Sequence, residues 1–78
     1  MDIGPLLGEQ RRVGDEYRST EKLIQTYEAQ LATRGLNPSA RAKIEEAAGN
    51  ARATLQRLWE RMLELDAAVT ASALSNDP

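Results

Sequence analysis

Carboxylates are the first side chains to consider for chemistry, because the sequence contains no histidine and no cysteine. Glu45 and Glu46 are adjacent, but neighbours on a helix point about 100° apart and would not converge on one substrate. Glu60 and Glu64 alternate with arginines, a pattern typical of surface ion pairs. A dinuclear metal site in a helical bundle would need a Glu-x-x-His pattern. The carboxylates therefore predict neither an acid–base site nor a metal site.

Nucleophiles and phosphate-binding loops are equally weak in this sequence. Ser19 and Ser39 have no histidine partner and no lysine at triad spacing. The five glycines form no Gly-rich loop followed by Gly-Lys-Ser or Gly-Lys-Thr. We expect no catalytic residue, no bound cofactor and no metal ligand, so the chain is not predicted to be an enzyme.

The strongest pattern is a heptad repeat of apolar residues in the second half of the chain. Such spacing predicts one stripe along a long α-helix, and the stripe must pack against something. Its members are Ile44, Ala48, Ala51, Leu55, Leu58, Met62, Leu65 and Val69. A weaker stripe in the first half consists of Val13, Tyr17, Thr20, Ile24, Tyr27 and Leu31.

A turn signal separates the two stripes. Gly35 suits the left-handed residue that follows a helix C-terminus, where Leu36 would contact Leu31. Asn37 is a good N-cap, and Pro38 is well tolerated at the first helical position. So short a connection predicts an antiparallel, coiled-coil-like two-helix hairpin.

The predicted fold is all-α, with residues 1–78 forming a single hairpin domain. We expect helix one at about 5–33, loosened near Gly14, the turn at 34–38, helix two at about 38–71, and a frayed tail at 72–78. Pairing across the hairpin should join positions whose numbers add to roughly 75. Large residues of helix one would then face alanines of helix two near the turn.

Helix two carries more apolar residues than are needed for its line of contact with helix one, the seam of the hairpin. Trp59 and Leu63 lie beside the stripe, and only Leu6 and Leu7 of helix one could help to cover this region. One interpretation is that Trp59 and Leu63 complete the core. The other is that they form an exposed patch that binds a partner protein or a second copy, giving a four-helix bundle. The residues predicted to bind the partner are Leu55, Leu58, Trp59, Met62 and Leu63.

Composition narrows the classes of partner. The formal charge is −2, with acidic and basic residues mixed, whereas a nucleic-acid binder usually shows a basic face. No apolar run approaches the roughly 20 residues that a membrane span needs, and the first residues do not resemble a signal peptide. The lack of cysteine fits a reducing compartment, so we expect a cytoplasmic protein.

The turn and the helix after it resemble a known family. Gln30-Leu31-Ala32, through Gly35 and Pro38, followed by an alanine-rich second helix, resembles the small co-chaperones of type III secretion needle subunits, over residues 20–65. That resemblance implies a helical hairpin that holds an aggregation-prone client in the cytoplasm together with a second chaperone. Trp59 and Leu63 would then belong to the binding surface.

An alternative comes from a shorter segment. Gly35-Leu36-Asn37-Pro38-Ser39-Ala40-Arg41 is similar to a stretch of some phage small terminase subunits. This resemblance implies a phage-encoded accessory or inhibitor protein, associated with nucleic-acid packaging. The residues that would contact nucleic acid are Arg11, Arg12, Arg18 and Arg52.

Overall fold

The fold is an antiparallel hairpin of two helices. The computed structural model describes residues 3–75. Helix α1 comprises Gly4–Leu31 and helix α2 comprises Pro38–Ser75. No strand occurs between residues 3 and 75, and the helices pack side by side in a rod of 65 × 14 × 14 Å. The predicted all-α hairpin is therefore confirmed.

Helix α2 begins with the predicted cap. The Asn37 Oδ1 accepts a hydrogen bond of 2.8 Å from the backbone N–H of Ser39, and the Asn37 carbonyl accepts one of 2.8 Å from the N–H of Arg41. Pro38 is the first residue of the helix, where its missing N–H leaves no bond unmade. Gly35 has a φ of 78°, the left-handed conformation predicted for it.

Helix α1 ends earlier than predicted. Its last residue is Leu31, two residues before the expected Thr33, and Ala32 is its C-cap. The Thr33 N–H donates to the Gln30 carbonyl at 3.1 Å, so the chain tightens into an i to i−3 turn before it reaches Gly35. Gly14 does not loosen α1, which is continuous around it. Val13 on the packed seam offsets the low helix propensity of this glycine.

At the other end, α2 continues four residues past the expected Ala71, to Ser75. The segment from 72 to 75 contains neither glycine nor proline, so nothing in it stops the helix. This differs from the tail predicted to fray from residue 72. Residues 76–78 of that tail, and Met1 and Asp2 at the other terminus, lie outside the described residues.

The core is the seam between the helices. Its buried members are Val13, Ile24, Ala48, Ala51 and Leu65. Ala48 has no exposed surface, so the helices approach closely in the half nearest the turn. Leu65 is the largest fully buried side chain and fills the seam in the other half. Within residues 3–75, neither helix contains a window long and apolar enough to cross a membrane.

Three contacts between side chains of the two helices show the register. Arg61 pairs with Glu9, Trp59 contacts Tyr17, and Arg52 pairs with Glu28. The residue numbers in these pairs add to 70, 76 and 80, which brackets the predicted value of roughly 75. The helices are therefore antiparallel and in the predicted register. With this register, each position along α1 can be matched to the position on α2 that lies beside it.

Candidate apolar binding surface

Large apolar side chains are exposed at five described positions, and they are not spread evenly. Leu7 and Leu23 are each 45% exposed, Trp59 is 46% exposed and Leu63 is 54% exposed. The fifth, Leu74, is the most exposed of the set. Four of the five lie in the half of the hairpin away from the turn, and Leu23 is the exception.

The contacts between the helices divide the hairpin surface into two sides. Arg61 and Trp59 are two residues apart, about 200° around α2, so they lie on opposite sides of the seam. Arg52 is seven residues from Trp59 and therefore lies on the same side of α2. We name the side defined by Trp59 and the Arg52–Glu28 pair the tryptophan side, and the other the Arg61 side.

Heptad spacing assigns the exposed leucines of α1 to these two sides. Leu7 is three heptads from Glu28, which places it on the tryptophan side. Leu23 is two heptads from Glu9, which places it on the Arg61 side. The two leucines are equally exposed but point away from each other, so only Leu7 shares a side with the indole.

Trp59 and Leu63 are four residues apart and lie one above the other on α2. The register places Leu7 farther toward the open end of the hairpin, on the adjacent helix. We call the set Leu7, Trp59 and Leu63 the apolar patch. Leu74, three helical turns beyond Leu63, continues the row toward the end of α2.

Trp59 is also in contact with its own chain. The centroid of its ring lies 6.1 Å from that of Tyr17, and the planes are tilted by 45°. This distance and tilt fall in the range that aromatic pairs favour. One part of the indole therefore packs on α1, while nearly half of its surface stays open to solvent.

The predicted binding residues separate into two groups. Leu55, Leu58 and Met62 are half-buried in the seam, whereas Trp59 and Leu63 are exposed beside it. Leu7 was predicted to help cover this region rather than to extend it. The heptad position of Leu7, next to the seam and not within it, is the signal in the sequence that marks it as exposed.

Charged side chains on the Arg61 side form a small network. The Arg61 Nε and Nη2 both donate to Glu9 Oε1, at 3.0 and 2.6 Å, and Nη1 donates to Glu64 Oε2 at 2.9 Å. The hydrogen bond to Glu9, and then the one to Glu64, raises the pKa of Arg61 above its ordinary value. This network ties the helices together opposite the indole.

Two of the arginines considered for nucleic-acid contact are engaged within the chain. Arg18 pairs with Asp15, and Arg52 pairs with Glu28 across the helices. All four of these side chains are exposed, so water and salt compete with both pairs. A phosphate group would have to displace a carboxylate of the same chain at each position.

The described residues contain no group of three or more carboxylates placed to hold a metal ion. No pocket opens on the surface that these residues form. The apolar patch is the feature of residues 3–75 that places large exposed apolar side chains together on one side of the hairpin. Comparisons with protein-family models, with curated proteins and with solved structures found no match to this chain.

Proposed function

We propose that this chain is a non-catalytic protein-binding module that covers an apolar surface of a client protein. In this proposal it acts as a small cytoplasmic chaperone or adaptor. The observation that carries the proposal is the exposure of Trp59 and Leu63 one above the other on one face, with Leu7 on the neighbouring helix of the same face.

The chemistry of the patch favours a protein partner. Tryptophan and leucine offer apolar area, and burial of such area provides about 25 cal/mol per Å². Tryptophan is also among the residues that contribute most to binding energy in protein interfaces. The indole of Trp59 is held on one edge by Tyr17, so less of its rotamer freedom is lost when a partner covers the rest.

The client element in this proposal is an amphipathic helix, which the shape of the surface favours. The patch lies along two antiparallel helices that expose a shallow, elongated face rather than a pocket. A helix with apolar residues at heptad spacing can lie along this face, packed against both α1 and α2 as a third helix. A client helix that aggregates when free is the kind of element that the resemblance to needle co-chaperones also implies.

The proposal is tested with a synthetic peptide of about 21 residues, or three heptads, that has leucine at its a and d positions and no aromatic residue. Since Trp59 is the sole tryptophan of the chain, its emission reports on the patch. We expect the peptide to shift the emission to shorter wavelength with a saturable dependence on concentration.

Matched variants give the control for this titration. Leu63→Ser should weaken peptide binding by about tenfold or more, because it removes an apolar contact worth about 1.5–3 kcal/mol. Leu23→Ser removes a leucine of comparable exposure on the Arg61 side and should leave binding unchanged. Equal affinities for the two variants, or no binding by the parent chain, would overturn the proposed function.

A further inference from the structure

The tryptophan side has a position without a side chain as well as protruding side chains. Gly14 is one heptad from Leu7, so it lies on the same side of α1. A methyl group added at Gly14 would meet no atom within 4 Å, so the chain leaves the space beside this backbone position unfilled, and we call that space the hollow. Gly8 and Gly49 are also open, but Gly8 lies about 120° around α1 from Gly14, away from the patch. Gly49 is two heptads from Leu63, on the same side of α2 but closer to the turn than the patch.

The hollow and the protruding residues lie at the same level of the hairpin. Gly14 falls between Glu9, which pairs with Arg61, and Tyr17, which contacts Trp59. Leu63 is one helical turn from Trp59, so Leu63 and Gly14 differ by no more than about one turn along the axis. A protrusion on α2 thus lies beside a hollow on α1.

The chain exposes more surface than a compact monomer of its mass would. The chain exposes 5808 Å², whereas a compact monomer of 8.6 kDa is expected to expose about 4,700 Å². The difference, about 1,100 Å², exceeds the roughly 800 Å² that each partner buries in an interface of standard size. The excess follows from the rod shape, since only two helices share a single seam.

We infer that a second copy of this chain occupies the apolar patch when no client is bound. The inference rests on the proposed function, because both use the same surface. A two-fold axis parallel to the long axis of the hairpin would place α1 of each copy against α2 of the other at the same level. Leu63 of each copy then enters the hollow at Gly14 of the other, so the surface is complementary to itself.

The resulting assembly is a four-helix bundle in which neighbouring helices are antiparallel. This arrangement satisfies the packing rules for such bundles and opposes the dipoles of adjacent helices. The Arg18–Asp15 and Arg52–Glu28 pairs already neutralise charge within each copy, which reduces repulsion between like surfaces. Client binding and self-association exclude each other because the patch can be covered by only one of them.

Sedimentation equilibrium of the full chain, from about 1 µM to about 1 mM, tests the inference by mass action. The parent should convert from 8.6 kDa to twice that mass as its concentration rises. Gly14→Gln fills the hollow and should raise the dimer dissociation constant by about tenfold or more. Gly8→Gln is the matched control and should leave it unchanged, and both variants keep the helix because glutamine favours it over glycine.

The arrangement of the two copies is tested with one spin label. The chain has no cysteine, so Arg34→Cys at the turn gives a single attachment site. In the proposed dimer the two turns lie at the same end, and the labels should be about 20–30 Å apart. A separation near the 65 Å length of the hairpin would mean that the copies are antiparallel and would overturn this geometry.

The remaining outcomes separate this inference from the proposed function. A parent chain that stays monomeric throughout, or a Gly14→Gln variant that dimerises as strongly as the parent, overturns the inference. If such a monomer still binds the leucine peptide through Leu63, the proposed function stands. A dimer that the peptide cannot dissociate supports self-association and contradicts the proposed function.

Discussion

The centroids of the Tyr17 and Trp59 rings lie 6.1 Å apart and the ring planes are tilted by 45°, so an aromatic contact joins the two helices at the edge of the apolar patch. This contact holds one edge of the indole against α1 and leaves nearly half of its surface free. The patch is therefore an ordered feature of the hairpin, available to a partner without rearrangement of the seam.

Replacing Tyr17 should affect both stability and the indole. We expect Tyr17→Leu to lower the free energy of unfolding by about 1 kcal/mol more than Tyr27→Leu does, because only Tyr17 contacts a second ring among the described residues. Urea unfolding followed by circular dichroism measures this difference. Acrylamide should also quench Trp59 more strongly in Tyr17→Leu. Equal quenching in the two variants would show that Tyr17 does not cover the indole.

The close approach of the helices near the turn can be tested at Ala48. This residue has no exposed surface, so Ala48→Leu should overpack the seam and destabilise the hairpin by about 1–3 kcal/mol. Ala53→Leu, at an exposed position of the same helix, should change stability by less than about 0.5 kcal/mol. Thermal unfolding of the two variants distinguishes them, and similar melting temperatures would contradict the observed seam.

The cap at the start of α2 should contribute to stability through one side chain. Asn37→Ala removes the acceptor for the Ser39 N–H and should cost about 1 kcal/mol. Ser39→Ala is the control, because the structure uses only the backbone N–H of Ser39 in this contact. Urea unfolding that gives the same midpoint for both variants would mean that the Asn37 side chain does not stabilise the helix.

The Arg61–Glu9 pair should act as a salt-dependent link between the helices. Glu9→Gln removes the charge that Arg61 contacts on α1, so the variant should be less stable than the parent at low ionic strength. The difference should shrink at about 0.5 M salt, because exposed charges are screened there. Glu45→Gln, which removes an exposed carboxylate elsewhere, should show a smaller effect. A loss of stability independent of salt would argue against an electrostatic role for Glu9.

The hairpin and its register were predictable from sequence because they depend on local rules. Heptad spacing placed the seam, and Gly35, Asn37 and Pro38 have the turn chemistry that the structure shows. The helix ends were less predictable. Thr33 lies outside α1 because the chain tightens into an i to i−3 turn there. The segment after Ala71 remains helical because it contains no glycine or proline before Ser75.

The apolar patch was predictable only in part. Trp59 and Leu63 stand out because they lie beside a complete heptad stripe. Leu7 belongs to the patch because it lies on the tryptophan side of α1. Sequence alone does not show which side of α1 meets the tryptophan side of α2; the Arg52–Glu28 and Arg61–Glu9 contacts do. Sequence spacing predicted ion pairs within each helix, but pairs between helices depend on the register and on which sides of the two helices meet.

The most direct test of the account is to ask which side of the hairpin another chain touches. A photoreactive benzophenone amino acid is placed at position 63 in one protein and at position 23 in another, and each is irradiated with the leucine peptide. Leu63 and Leu23 are both exposed, on the tryptophan side and the Arg61 side respectively. We expect a cross-linked product from position 63 and little from position 23. Equal yields from the two positions, or a product from position 23 alone, would contradict the account.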